Sequence, residues 1–505
     1  MNTPEAVAAA GPLAHPVAGV PDLVAAEDVL LFVNAAITAT GQREFRSDAD
    51  AQRLSLDFLH TYVRVNYRRV YAASLALDIN HHNAALIVRA LLETAGEASD
   101  EERRTEGRLI AARLALLPPP RVYRLFGELR RAKVNNRRTR TIMRDWLAAR
   151  PDLGHDAVKY RAGLKTAARH IHLRCRQEAE PLPETGEFLF RPGRSRRYEH
   201  RLLDAWRRAH YEQGAVTELP FSVAEGFAAK HGMKREVFLK RAAPRMTRLE
   251  RLRTQEQRVV GDRRPDVDLA AMPLTRLASY VLSLGFTQRA ERRAELTGAL
   301  RAAARRAAGA HAGSWGRVHA VLDDSFSSSG SGQKRRRPLA VALALACHHL
   351  LEALAAPGAY RGLWTSGAGD ALLVRPWGPT PLGTRILDAL EPGPGGAAPD
   401  RLVIVSDGWD NAPAGLAGEV LRVWRQRLDP GRRTAAVHVN PVYDADGFEV
   451  RRLAAGVATA GIRDAEDLPA LVEIARFAEG RAGPEELYAY LDRRVARFTG
   501  EGGTA

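Results

Sequence analysis

The sequence predicts two kinds of structure in succession: a long all-α array of HEAT-like helices, then an α/β domain of the doubly wound class. Three observations carry that expectation. From about Pro21 to Ala308, apolar residues recur at three- and four-residue spacing, and strong strand signals are absent. After Arg306, short apolar runs alternate with helical segments, which is the grammar of a mostly parallel sheet. The formal net charge of +16 also belongs to the first region. Residues 1–310 hold 53 Lys+Arg against 36 Asp+Glu, whereas residues 311–505 hold 22 against 23.

Taken in order, residues 1–20 are rich in Ala, Pro and Gly and read as a disordered leader. The array follows over 21–310, with helices expected at Ala51–Leu77, Asn83–Thr94, Thr105–Leu117, Val122–Lys133 and Arg137–Ala149. Breakers separate them, among them Pro118–Pro120, Pro151 with Gly154, and Pro192-Gly193. Helices of this length joined by short turns suggest stacked pairs that bury their shared faces, although no sequence period is evident. In residues 311–505, strands are expected at Val318–Leu322, Tyr360–Trp364, Ala371–Val374, Leu402–Val405 and Thr434–Val439. Helices are expected there at Pro338–Leu354, Thr384–Leu390 and Leu416–Leu428.

Composition narrows the function classes. The chain has 505 residues, enough for two or three domains. Cys175 and Cys347 show no ligand spacing, so a reducing compartment, the cytoplasm, is expected, without a disulfide framework. Pro338–Ala356 is the most membrane-like stretch, but His348 and His349 interrupt it, and a buried helix is the better reading. No P-loop, nucleophile elbow, H-E-x-x-H or paired-carboxylate signature occurs, so no enzymatic activity is expected.

The chemistry concentrates at Asp323-Asp324-Ser325-Phe326-Ser327, where the first strand ends. Alternate residues of an extended segment share a side, so Asp323, Ser325 and Ser327 converge while Asp324 turns away. Two other loops add oxygens: Thr384 at a helix start, and Asp407 in Ser406-Asp407-Gly408 after the Leu402–Val405 strand. Each has an ordinary explanation alone, as helix cap or turn. Together, one sheet edge offers an Asp, Ser, Ser, Thr and Asp set, which suits Mg²⁺ or another hard divalent cation that retains water.

The second concentration is basic. Residues 121–210 carry 23 Lys+Arg against 10 Asp+Glu. Lys133, Arg137, Arg138, Arg140 and Arg144 cluster first; Lys159, Arg161, Lys165 and Arg169 continue beyond Pro151, with Arg174 and Arg176 after them. Guanidinium groups bind phosphate bidentately and stack on bases, so RNA is the expected partner. Trp146, Tyr160, Tyr198, Trp206 and Tyr211 are candidates for stacking on unpaired bases, although aromatics at helical spacing also serve as core. His170 and His172 read as polar-face or phosphate contacts.

Asp323, Ser325 and Ser327, with Thr384 and Asp407, resemble the metal-ion-dependent adhesion site of the von Willebrand factor A domain over about Gly316 to Gly500. That resemblance implies a non-catalytic module whose Mg²⁺ accepts a carboxylate from a protein partner. Asp324 and Phe326 depart from the apolar and Gly residues more usual there, and the Ser328–Ser331 and Lys334–Arg337 insert adds a basic rim. The preceding array resembles the TROVE-domain family, the Ro autoantigen proteins and their bacterial relatives. The residues that carry this are Arg140–Leu147, Val158–Arg161, Met272–Leu277 and Gly447–Val450, with the helical tail through Phe477. The resemblance implies a ring of helices that holds single-stranded RNA ends in its hole and small Y-like non-coding RNA on its basic face. Lys165-Thr166 stands roughly where the family has its signature His, so fine RNA specificity does not carry over. The rival reading is a protein-only adaptor whose metal domain recruits a chaperone-like ATPase or another module.

Overall fold

The computed structural model describes residues 20–40, 48–172, 183–191, 197–247, 250–251, 268–329, 339–392, 398–446, 449–469, 471 and 484–500. Residues 1–19 of the expected leader, Arg174, Arg176, the Lys334–Arg337 insert and Gly447-Phe448 lie outside them, as does most of the tail to Phe477; Val20, the last residue of that leader, begins a helix instead. The chain divides into two compact units, one built from residues 1–84 with 268–505 and the other from residues 85–267. Local structure changes near residue 310, but the units part elsewhere. Helices on both sides of the basic segment belong with the sheet.

In the first unit, the strands are β1 (Val318–Leu322), β2 (Tyr360–Trp364), β3 (Arg401–Val405) and β4 (Ala435–Asn440). A two-stranded antiparallel hairpin, β5 (Tyr443–Asp444) with β6 (Glu449–Val450), precedes β7 (Ala458–Gly461). The main sheet has the order β2-β1-β3-β4-β7 and is parallel throughout. The chain leaves β1 for β2 on one side and returns to β3 on the other. The carboxyl ends of β1 and β3 therefore flank a topological switch point, where ligands of open α/β sheets bind.

Because β1 and β3 lie inside the sheet, they read as near-continuous apolar runs rather than alternating ones. Val321, Leu402, Ile404 and Ala436 pack against Leu382, Ile386 and Ala389 of the Leu382–Leu390 helix and against Ala417 and Leu421 of Leu416–Val423. The one polar residue in β1, His319, is accommodated by a bond from its Nδ1 to the Ala389 carbonyl at 2.6 Å, and burial lowers its pKa. The Leu339–Leu354 helix packs on β1 and β2 and receives the Leu274–Ser283 and Arg293–Ala308 helices.

The N-terminal helix Val20–Thr38 covers the open edge of β7. Asn34 donates from Nδ2 to the Thr459 carbonyl at 3.3 Å and accepts from the Gly461 N–H at 2.9 Å, satisfying groups that have no neighbouring strand. The approach is so close that a Cβ at Gly461 would lie 2.8 Å from the Asn34 carbonyl oxygen. Asn80 and Asn83 in turn donate to the Ile37, Ala36 and Ala39 carbonyls and cap that helix.

Several expectations are corrected. Ala371–Val374 is not a strand: Ala371–Leu373 forms a 3₁₀ turn, with Asp370 accepting from Leu372 N and the buried Arg289 guanidinium taking the Leu372 and Val374 carbonyls. The expected Ala51–Leu77 helix breaks at Tyr67 into Ala49–Asn66 and Arg68–Ala73. The Leu416 helix turns into a π-turn over Trp424–Leu428. The short, alanine-rich β7 was not expected at all.

The second unit is helical, with no strand among its described residues. Its longer helices are Asp100–Leu116, Pro119–Arg131, Arg137–Ala148, Arg161–His170 and Phe221–Lys230. Ser99 and Glu102 form a reciprocal capping box at the first of these. Gly163 lets Arg161–His170 press on Pro119–Arg131, since a Cβ there would meet the Tyr123 Cβ at 2.5 Å. Asp156 is fully buried and accepts from Arg150 Nε at 2.7 Å and from the Tyr123 hydroxyl at 2.8 Å. Among the described residues of the whole chain, no helix is long and apolar enough to cross a membrane.

Candidate metal centre and cationic surface

Strand pairing carries Asp323 and Asp407 to the same sheet edge. The Asp323 N–H bonds the Val405 carbonyl at 2.9 Å, and the Ser406 N–H bonds the Val439 carbonyl, so each loop leaves its strand in register. The Asp323 carboxylate is buried. It accepts from Ser325 N at 2.8 Å, from Thr365 Oγ1 at 3.3 Å and from Ser406 Oγ at 3.1 Å. Ser325 and Ser327 do share a side, with their hydroxyl oxygens 3.1 Å apart. Asp407 accepts from Trp409 N at 3.0 Å, and Asn440 Nδ2 bonds its carbonyl. Gly408 turns the loop with φ +80°, and a Cβ there would press on Arg451.

Thr384 does not join this group. The helix begins at Leu382, after Pro381, so Thr384 already sits on its exposed face. The loop threonine is Thr380, which is buried and exchanges bonds with Asn411 at the end of the Asp407 loop. Its signal in the sequence was the following proline, which fixes where the helix starts. The segment is not extended as expected, because Phe326–Ser329 forms a 3₁₀ turn. Asp324 binds the loop after β2, accepting from Thr365 Oγ1 at 2.9 Å, Ser366 N at 2.9 Å and Ser366 Oγ at 2.6 Å, and shares the Thr365 hydroxyl with Asp323. Asp410 accepts from Ala417 N and so caps the following helix.

The donor set suits a hard divalent cation. Burial, and then the neighbouring Asp407 charge, raise the Asp323 carboxyl above the usual carboxylate range. The donors bonded to Asp323 are neutral hydroxyls and an amide, which orient it without cancelling its charge. Two carboxylates with the Ser325 and Ser327 hydroxyls form an oxygen-only set, the kind that a hydrated hard cation takes. Among the described residues, no group of three or more His, Cys, Asp and Glu side chains is placed to hold a metal.

The nine basic residues singled out from the sequence separate into two kinds. Arg138 is structural: it bonds the buried Glu106 carboxylate and the Arg103 carbonyl. Arg161 is half-buried, with its guanidinium 4.9 Å from the Phe188 ring centre and 4.8 Å from that of Trp206. Lys159 lies 3.9 Å from Glu250. By contrast, Lys133, Arg137 and Arg144 are exposed and Arg140 is partly so, and among the described residues none of their side chains has an ion pair. Lys165 and Arg169 share the Phe190 ring, each 5.6 Å from its centre.

Most of the aromatic candidates are core. Trp146 donates from its indole to the Leu114 carbonyl, Tyr198 is buried, and Trp206 packs edge-on to Phe188 and Phe227. Tyr211 remains 83 % exposed and available for stacking. His170 is buried on the Val134 carbonyl, so it is not a phosphate contact.

The chain is thus a helical unit together with an α/β unit whose five-stranded parallel sheet carries an oxygen-rich cluster at its switch point. No family model matches the chain, and no curated protein is significantly similar to it.

Proposed function

We propose that this chain is a non-catalytic RNA-binding scaffold of the TROVE or Ro type, with a von Willebrand factor A-like domain that uses a divalent cation, Mg²⁺ or one like it, to bind a protein partner. The helical unit would hold small structured RNA or single-stranded RNA ends in the cytoplasm. The observation that carries this reading is the set Lys133, Arg137, Arg140 and Arg144, which offers phosphate-binding groups that no carboxylate among the described residues neutralises. The charge of the unit agrees with it: residues 85–267 hold 40 Lys+Arg against 24 Asp+Glu. A non-catalytic role is supported by Asp324, an extra carboxylate that a two-metal nuclease would need, which is engaged by Thr365 and Ser366.

The test is binding of a small structured RNA to the full chain across salt concentrations. Affinity should fall steeply with salt, and Arg137→Ala with Arg140→Ala should reduce the log–log slope by roughly 1 to 2. Salt-independent or absent binding would sink the reading and favour the protein-only adaptor. That alternative draws on the cation cluster alone, which does not require RNA.

A further inference from the structure

The Ala49–Asn66 helix of the sheet-bearing unit has two apolar faces, and only one of them is buried. Leu56, Leu59 and Val63 lie in the core, where His60 bonds the Tyr71 hydroxyl at 2.8 Å. On the other face, Leu54 is 75 % exposed, Phe58 56 %, Val65 54 % and Tyr62 36 %. Single exposed apolar residues are ordinary on any surface, but four on one helix face make a stripe, and contiguous stripes mark contact sites. The rings on it are held in place. The Tyr62 hydroxyl donates to Asp28 Oδ2 of the Val20–Thr38 helix at 2.7 Å, and Phe58 lies nearly parallel to Tyr62, their ring centres 6.0 Å apart.

Leu54, Phe58, Thr61 and Val65 are spaced four, three and four residues apart, the repeat that forms a seam between two helices. The Thr61 hydroxyl bonds back to the Asp57 carbonyl at 2.8 Å, so its polar group is already satisfied within its own helix. The seam runs for about three turns, roughly 16 Å. Its spacing is palindromic. In an antiparallel pair of this helix, Leu54 of each copy meets Val65 of the other, and Phe58 meets Thr61. The charges agree with that register. Arg53 pairs with Asp50 in its own helix, whereas Asp57 has no ion pair among the described residues. Asp57 and Arg64 stand seven residues apart on one edge of the seam, so the antiparallel register sets each Asp57 beside Arg64 of the second copy. The helix holds two Asp and two Arg, whereas a helix that lies on a membrane surface carries a basic polar face.

We propose that the Leu54–Val65 face is a homodimerisation surface, on which two copies of the chain pair antiparallel about a two-fold axis level with Leu59 and His60. Leu54, Phe58 and Val65 supply the apolar contact, and the crossed Asp57 and Arg64 pairs fix its register. A three-turn seam is small for a permanent assembly, so the dimer depends on concentration. None of these residues belongs to the cation cluster or to the basic face, and the pairing is independent of both.

Sedimentation equilibrium of the nuclease-treated full chain tests this. A monomer–dimer equilibrium is expected, and Leu54→Glu and Val65→Glu should each weaken it by at least about tenfold. The urea midpoint should not move with either, since both side chains are exposed in the single chain. Asp57→Arg should also weaken association, and Asp57→Arg combined with Arg64→Asp should restore it. Under mild oxidation, a mixture of Leu54→Cys and Val65→Cys chains should give a crosslinked dimer that Leu54→Cys alone does not. A chain that stays monomeric at every concentration overturns the proposal, as does a dimer indifferent to both glutamates or one that the charge exchange leaves weakened. Crosslinking of Leu54→Cys to itself would show a parallel pair and overturn it too. Binding of a monomeric chain to phosphatidylglycerol vesicles, lost on Leu54→Glu, would assign the stripe to a membrane instead.

Discussion

The unit built around the sheet holds 35 basic and 35 acidic residues, while the helical unit holds 40 and 24, so the formal charge of +16 resides in residues 85–267. In the first unit, the functional candidates are buried oxygens whose positions are set by strand register. In the second, they are exposed cations whose positions along a helix are loosely constrained. A site made by register fails when one residue is lost. A surface made by charge loses affinity in increments.

The largest effect that would sharpen this contrast is on stability, in the helical unit. Asp156 is the acid on which Arg150 and Tyr123 converge, and bonds from His155, Arg150 and Tyr123 hold its carboxyl below the ordinary range despite the opposing effect of burial. Asp156→Ala leaves Arg150 without its carboxylate and should destabilise that unit by about 3–5 kcal/mol. Hydrogen exchange across residues 119–170 would register it, and an unchanged exchange pattern would contradict the assignment. Next, Asp323→Ala should weaken Mn²⁺ by more than about a hundredfold in calorimetry, and Thr380→Ala should weaken it less. Thr384→Ala should have no effect; a loss there would restore the ligand set expected from sequence.

A smaller effect separates the units by their closure. Asn34→Ala strips the β7 edge of both partners and should cost the sheet unit about 1–3 kcal/mol, read as a lower urea midpoint. The smallest concerns pH. Burial, followed by Asp78, Asp464 and Glu466, pushes the Asp467 carboxyl up to about 8 from an ordinary 3.8. A raised folded value means that the protonated acid favours the fold. Its contribution is full below pH 3.8 and is lost as pH rises toward 8. Asp467→Asn should flatten the fall in melting temperature over that window, and an unaltered slope would remove Asp467 from the account.

Much of the site was legible because its signals are local. The Val318–Leu322 and Leu402–Val405 runs end at acids, and a parallel sheet places both ends together. Thr384 was misplaced because a Gly-Thr pair resembles a helix start, whereas Pro381 sets the actual one and leaves Thr380 in the loop. Arg138 looked like its neighbours on the helix, but its partner Glu106 lies 32 residues away, beyond the reach of periodicity. β7 escaped because four small residues make little hydrophobic signal, and its stability comes from β4 on one side and Asn34 on the other. The composition of the first unit was hidden because its N-terminal helices, up to residue 84, are separated from the sheet by the whole basic segment.

The Asn34 clasp has a consequence for how the chain is made. Asn34 and the Thr459 carbonyl it serves are 425 residues apart in sequence. At a synthesis rate of roughly 5–20 residues per second, the emerging first helix waits on the order of 20 to 85 s for its edge strand. During that interval the whole basic segment is translated and free to fold first. The ribosome thus delivers the helical unit while the sheet unit is still open at its seam, and completion of β7 is the event that closes it.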